Sequence, residues 1–201
     1  MSDVTPTRAA VLELCEERRA MRDGYAFLDE KRLLLAAEML HELKRYEQSW
    51  AEFCERLAHA NEALQAACAR HGLHGVQVYP AARLADLEVT IRRRQLLGVR
   101  LQEAAFEAEC GAAHAALNPS PEAERCRLMF FELLRQGASL AALSGNLKRL
   151  QHEYRRTERR ARALEDVLIP ELERTIAEVE SRLEEAEQGE AMRVRHANRG
   201  A

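Results

Sequence analysis

Three groups of side chains have the types and spacing to do chemistry. Glu38-x-x-His41 sets a carboxylate and an imidazole three residues apart on one helix face, as ligands of di-iron bundle sites are set. Such a site needs a second copy and further carboxylates on facing helices, and none stands at matching depth. A solvated helix face is the better reading. Cys68-x-x-His71-x-x-His74 gathers three zinc-type donors at a helix end. A fourth ligand is missing, and polar capping beside Gly72 accounts for the three. Arg155, Arg156, Arg159, Arg160 and Arg162 form one basic patch, and Arg193, Arg195, His196 and Arg199 another, the charge that meets a phosphate backbone. The segment between them, 165–190, is acid-rich and would repel one. Charged collars that complement other protein surfaces are therefore favoured over nucleic acid. The phosphate loop, the dinucleotide fingerprint and the nucleophile elbow are all absent. No catalytic residue, cofactor-binding residue, cofactor or metal ligand is assigned from these groups.

The elements that carry these residues are helices. Of 201 residues, 31% are charged and 5% aromatic, with only 9 Gly and 5 Pro, which is the composition of long helices and coiled coils. The net charge of -3 comes from interleaved acids and bases, so there is no chain-wide nucleic-acid footprint. Cys15, Cys54, Cys68, Cys110 and Cys126 contain no C-x-x-C pair and predict reduced thiols in a cytosolic protein. The first residues lack the form of a signal peptide, and no run of about 18 apolar residues predicts direct membrane insertion.

Thr5-Pro6 reads as N-cap and first helical residue. Val11, Leu14, Met21, Tyr25, Leu28 and Leu35 follow a three-four rhythm, with Arg18 and Arg32 at seam positions. Met39, Leu43, Tyr46, Trp50, Cys54, Leu57 and Leu64 continue it, with a stutter at 35, 39 and 43. A helix over 5–71 would span roughly 100 Å, far beyond the radius of about 16 to 17 Å of a compact globule of this length. Gly72, Gly75 and Pro80 end it, and the period changes to two. Leu87, Val89 and Ile91 alternate with polar residues, and after Arg93, Arg94 and Gln95 so do Leu97, Val99 and Leu101, a β-hairpin near 86–102. Residues 104–117 are Ala-rich and read as helical or loose. A short helix near 122–135 follows the Asn118-Pro119-Ser120-Pro121 breaker and stops at Gly137. The last helix starts near Ser139. The expected domains are thus an N-terminal coiled-coil helix over 1–71, an insert over 72–138 and a C-terminal coiled-coil helix over 139–201. The fold class is all-α, a long antiparallel two-helix coiled coil with a small middle insert. Glu52 with Arg56, Glu158 with Arg162 and Glu178 with Arg182 are spaced to pair along the helix surface.

Within the last helix, Leu164, Leu168, Leu172 and Ile176 recur every four residues, followed by Val179 and Leu183. Pro170 lies inside this run, where it lacks an N–H and crowds the preceding turn at a cost of roughly 3 kcal/mol in an ordinary helix interior. The helix is expected to continue through Pro170 with a local bend, held by the first helix.

Arg160-Ala-Arg-Ala163-Leu164-Glu165-Asp-Val-Leu-Ile169-Pro170 resembles the R-V-N-A-L-E-x-v-x-I-P signature of the D subunit of V-type/A-type rotary ATPases. Pro6-Thr7-Arg8, Leu14 and Lys31-Arg32 resemble the family's N-terminal P-T-[RK]…L…K-R pattern, and Leu97-Gly98-Val99 its middle region. The chain departs at Arg162, where the family has asparagine, and over 184–190, where it has an E-x-E-R-E run. The resemblance implies a central-stalk rotor that couples ATP synthesis or hydrolysis in a catalytic hexamer of A and B subunits to rotation of a membrane ring that carries protons or sodium ions. It implies the F subunit and a lower-stalk subunit as further partners, no catalytic residue, and a cytoplasmic place peripheral to the inner (plasma) membrane. The middle of the helical pair and residues 84–135 would serve F and the lower stalk, and residues 4–28 and 167–199 the hexamer. A stand-alone coiled-coil scaffold or adaptor is the alternative.

Overall fold

Thr7 opens the first helix. Its hydroxyl accepts the Ala10 amide at 3.2 Å and its carbonyl the Val11 amide at 3.1 Å, so it is the N-cap and α1 runs Arg8–Gln77. The cap is therefore Thr7 and not Thr5, and Pro6 stands just outside the helix. Thr-Pro-Thr offers two competent caps, and spacing does not choose between them. The structure, a computed structural model, describes residues 5–80, 88–107 and 115–198.

The chain divides into two units, residues 1–34 with 154–201 and residues 35–153. In the first unit the start of α1 pairs antiparallel with the C-terminal helix. Arg8 reaches Glu187 at 2.9 Å and Arg22 reaches Glu173 at 2.5 Å, equal steps in opposite directions along the two helices. Thr157, Ala161, Leu172, Ile176 and Val179 are buried along that seam.

In the second unit α1 pairs with α2, Pro121–Ala163. Arg56 bonds Glu132 at 3.3 Å and Arg70 bonds Glu122 at 3.2 Å, again antiparallel. Glu52 accepts from Gln136, so Glu52 and Arg56 both reach across to α2 instead of pairing with each other. Arg162 does bond Glu158 along its own helix, at 2.8 Å. The helix expected near 122–135 and the one expected from Ser139 are one helix. Gly137 sits inside it, where a glycine costs propensity without breaking hydrogen bonds. Ser120 caps it, its hydroxyl taking the Ala123 amide at 3.2 Å. Gly72 does interrupt α1, with φ 70 and ψ 164, a conformation that a side chain opposes.

The hairpin pairs β1, Glu88–Leu96, with β2, Val99–Glu107. The turn is Leu97-Gly98, with φ 48 and 88, the two positive values of a type I′ turn whose twist suits a hairpin. Arg93 to Gln95, which separate the two alternating runs in the sequence, are part of β1, and residues 104–107, expected to be helical or loose, extend β2. Residues 86, 87 and 108–114 lie outside the described residues, as does Cys110. Val99 and Leu101 are buried, and Phe106 packs against Phe131 with the rings tilted by 59° and their centres 5.8 Å apart. Ala63, Ala67, Ala123 and Cys126 form a small-residue core near the α1 kink.

Candidate functional site

The seam of α1 carries a charge where a leucine was expected. Leu35, Met39, Glu42 and Tyr46 keep a strict four-three rhythm, and Glu42 is wholly buried while Leu43 is 40% exposed. The expected stutter at 35, 39 and 43 is not formed. Apolar pattern alone picks Leu43, because it cannot see that the Glu42 charge is met. Arg45 donates to Glu42 Oε1 at 2.9 Å, and Arg94 of β1 lies 3.6 Å from the same oxygen while binding Glu38 at 2.6 Å. The other Glu42 oxygen accepts from Asn146 Nδ2 at 3.3 Å.

Asn146 is the centre of this network and sits on the α2 seam between Leu143 and Leu150. Its Nδ2 also donates to the Gln102 carbonyl at 2.9 Å, and its Oδ1 accepts the Gln102 amide at 2.8 Å. The side-chain amide thus occupies the place that a third strand's peptide group would take beside β2. Arg149 closes the group by donating to Asn146 Oδ1 at 2.8 Å and Gln102 Oε1 at 3.3 Å. A bare two-stranded hairpin is marginal in water. Here it is fastened to α2 by the part-buried bonds of Asn146 and Arg149 and to α1 by the exposed Arg94–Glu38 bond. Glu42 and Asn146 were missed in the sequence, although each continues a heptad series that its neighbours define.

The signature residues sit around a second irregularity. Leu164–Leu168 form a π turn, in which the Ile169 amide bonds the Leu164 carbonyl five residues back, and α3, Ile169–Ala197, begins beyond it. Pro170 falls in the first turn of α3, where its missing N–H is harmless. The seam shifts by one residue across the turn. Leu150, Thr157 and Leu164 lead to Leu172 and Val179, while Tyr154 and Ala161 lead to Ile169, Ile176 and Leu183. Leu168, expected on the seam, is 41% exposed beside Val167. Helical structure does continue through Pro170, by accommodating one extra residue. Leu164, Ile169 and Pro170 are half-buried, while Arg160, Ala163 and Glu165 are exposed. The Tyr25 phenol donates to Glu165; that bond, with desolvation and the carboxylate charge, pushes its pKa up. Pro6, Thr7 and Arg8 are exposed at the start of α1.

The groups singled out for chemistry are used for structure. Ligand atoms of Glu38, His41 and Glu42 lie within 4.8 Å of one another, but Arg94 already supplies a cation to both carboxylates. Cys68, His71 and His74 do not converge. His71 bonds the Ser120 hydroxyl at 2.6 Å and packs on Tyr79, clasping the kinked end of α1 to the α2 cap, and His74 is exposed. Burial and Cys68 raise the pKa of Cys126.

Exposed apolar side chains mark candidate docking faces. On α1 in the second unit, Leu40 is 69% and Trp50 48% exposed, with Trp50 stacked between Tyr46 and Phe53. In the first unit, Leu12, Phe27, Met192 and Val194 stand out in the same way. Among the described residues no helix is long and apolar enough to cross a membrane.

Comparison with known proteins agrees with this architecture. The family model for the D subunit of ATP synthase matches residues 10–199. The chain is 26% identical over 193 residues to the D subunit of the V-type ATP synthase of Thermotoga neapolitana, covering 96% of this chain and 95% of that one. It is 28% identical over 198 residues to the D subunit of the A-type ATP synthase of Methanopyrus kandleri, covering 97% and 85%. With the A-type D subunit of Methanoregula boonei the identity is 27% over 199 residues, covering 97% and 95%. A match that runs nearly from end to end, over a pair of long helices with a small hairpin insert, makes this chain a member of the family of V-type/A-type ATP synthase D subunits.

Proposed function

We propose that this chain is the non-catalytic central-stalk rotor of a V/A-type ATPase or ATP synthase, linking a catalytic hexamer of A and B subunits to a membrane ion ring. The observation that carries the reading is the family match over residues 10–199 of a chain built from helix pairs, each joined along its own seam. A rotor needs paired helices that resist twisting and a surface that slides past different faces. It needs no pocket chemistry. The seams supply the first, and the Glu42–Asn146 network fixes the register along which torque would pass.

The first unit, with Leu12, Phe27, Met192 and Val194 exposed, faces the hexamer in this proposal. The F subunit takes the Leu40–Trp50 face of α1, and the hairpin end serves F and the lower-stalk subunit. The complex lies on the cytoplasmic side, peripheral to the membrane. Tagged chain produced in its own cells should recover the A and B subunits and a small F-type subunit, as read by mass spectrometry of the purified complex. Leu40→Glu with Trp50→Glu should release the small subunit while helix content stays the same. Recovery of none of these subunits would refute the proposal and leave a stand-alone scaffold.

A further inference from the structure

The two edges of the hairpin are not equivalent. A two-residue turn closes on a hydrogen-bonded pair, here Leu96 with Val99, and the bonded pairs then alternate along the ribbon. Arg94–Leu101, Arg92–Glu103 and Thr90–Ala105 exchange bonds with each other. The N–H and C=O groups of Val89, Ile91, Arg93 and Gln95 therefore point away from β2, as do those of Gln102. For Gln102 this is seen directly, because Asn146 bonds both groups. The edge of β2 is covered at its middle, whereas every residue from Glu88 to Gln95 is exposed.

We propose that the outer edge of β1 receives an extended acidic segment of another polypeptide as a third strand. Four outward-facing backbone pairs give the hydrogen-bonding template of strand addition. Val89 and Ile91, 47% and 49% exposed, offer an apolar strip on one face of that edge. Charge selects the occupant. Arg94 is engaged by Glu38 and Glu42, but among the described residues the Arg92 and Arg93 guanidinium groups have neither a hydrogen bond nor an ion pair. Arg92 and Arg93 project to opposite faces, so acidic side chains on either side of an added strand find a guanidinium. A second copy of this chain is a poor occupant, since two β1 edges would set two runs of three arginines beside one another. The same charges that keep copies apart admit an acidic strand.

The inference rests on the hairpin alone and stands apart from the stalk assignment. Its test uses the full chain and two labelled probes, acetyl-(Glu-Val)4-amide and acetyl-(Lys-Val)4-amide, with binding read by fluorescence anisotropy and by amide hydrogen exchange. The glutamate probe should bind about tenfold or more tightly than the lysine probe and slow exchange at Val89, Ile91, Arg93 and Gln95. Ile91→Pro removes an outward N–H and leaves the ladder to β2 intact, so the variant should fold and lose at least about tenfold in affinity. Arg92→Glu with Arg93→Glu should reverse the preference between probes. Equal affinity for the two probes, no binding, binding indifferent to Ile91→Pro, or a dimer abolished by Ile91→Pro would each overturn the proposal.

Discussion

Glu42 and Asn146 contribute in different ways, and their substitutions should separate them. Removing Glu42 leaves Arg45 without that partner and Arg94 still bound to Glu38, and both guanidinium groups are more than 40% exposed and open to water. Glu42→Met should therefore change unfolding free energy by less than about 1 kcal/mol, since replacing a buried ionic group with an apolar one of similar volume is often neutral. Asn146→Ala leaves the Gln102 N–H and C=O without partners beside α2, at about 1–3 kcal/mol for each buried group that finds no other bond. Urea unfolding of the two variants decides the point. Equal losses would mean that the carboxylate holds the hairpin as firmly as the amide. Tyr25 offers a second reading at this scale. Its folded pKa lies above the unfolded value of about 10, so the contribution of its bond to Glu165 is present at neutral pH and is lost as pH rises through the folded pKa. Phenolate absorbance should show one tyrosine titrating late, and Glu165→Gln should bring it back toward the others. Neither contact is legible in sequence: a buried Glu has the same letter as an exposed one, and its bonds to Arg94 and Asn146 depend on how the hairpin folds back.

At the scale of elements, Pro170 and the π turn are two halves of one feature. Without the turn, the proline ring would meet the carbonyl one turn back; without the proline, the extra residue would have no local cause. Deleting Asp166 should restore α-helical spacing and keep the seams on both sides in register. It should also place Pro170 in a helix interior, at a cost of roughly 3 kcal/mol. Pro170→Ala alone should cost little, because Leu172, Ile176 and Val179 still hold the register, and in the deletion background it should recover most of the loss. Thermal unfolding of the four chains gives the coupling; additive effects would show that turn and proline are unrelated. The hairpin permits a gain in place of a loss. Leu97 holds φ 48, which a leucine adopts reluctantly, and Leu97→Asn should raise the unfolding free energy by roughly 0.5–1 kcal/mol. Much of this level was readable in the sequence: the two long helices, the break at Gly72 and a hairpin near 86–102 all follow from period and from glycine. The one-residue seam shift was not, because Leu164, Leu168 and Leu172 form an unbroken four-residue series that only the π turn takes out of line. Gly137 misled in the other direction, since a glycine inside a packed helix looks like an end.

For the whole molecule, the resemblance was carried in the sequence by short runs, Pro6-Thr7-Arg8 near the start and Ala163-Leu164-Glu165 with Ile169-Pro170 near the end, and family membership is shown by the match over residues 10–199. The side chains that looked reactive proved to be fasteners: Glu38 binds Arg94 and His71 binds Ser120. In the proposed rotor such fasteners would resist twisting, while partner subunits would do the catalysis and the ion transfer. The direct measurement is single-molecule rotation of the assembled complex. A bead is attached through Arg100→Cys, in a chain whose exposed Cys54 is replaced by serine, and the hexamer is fixed to a surface. With ATP supplied, the rotor reading predicts unidirectional stepping of the bead at a rate that follows ATP hydrolysis. A bead that stays still while the same complexes hydrolyse ATP would contradict it.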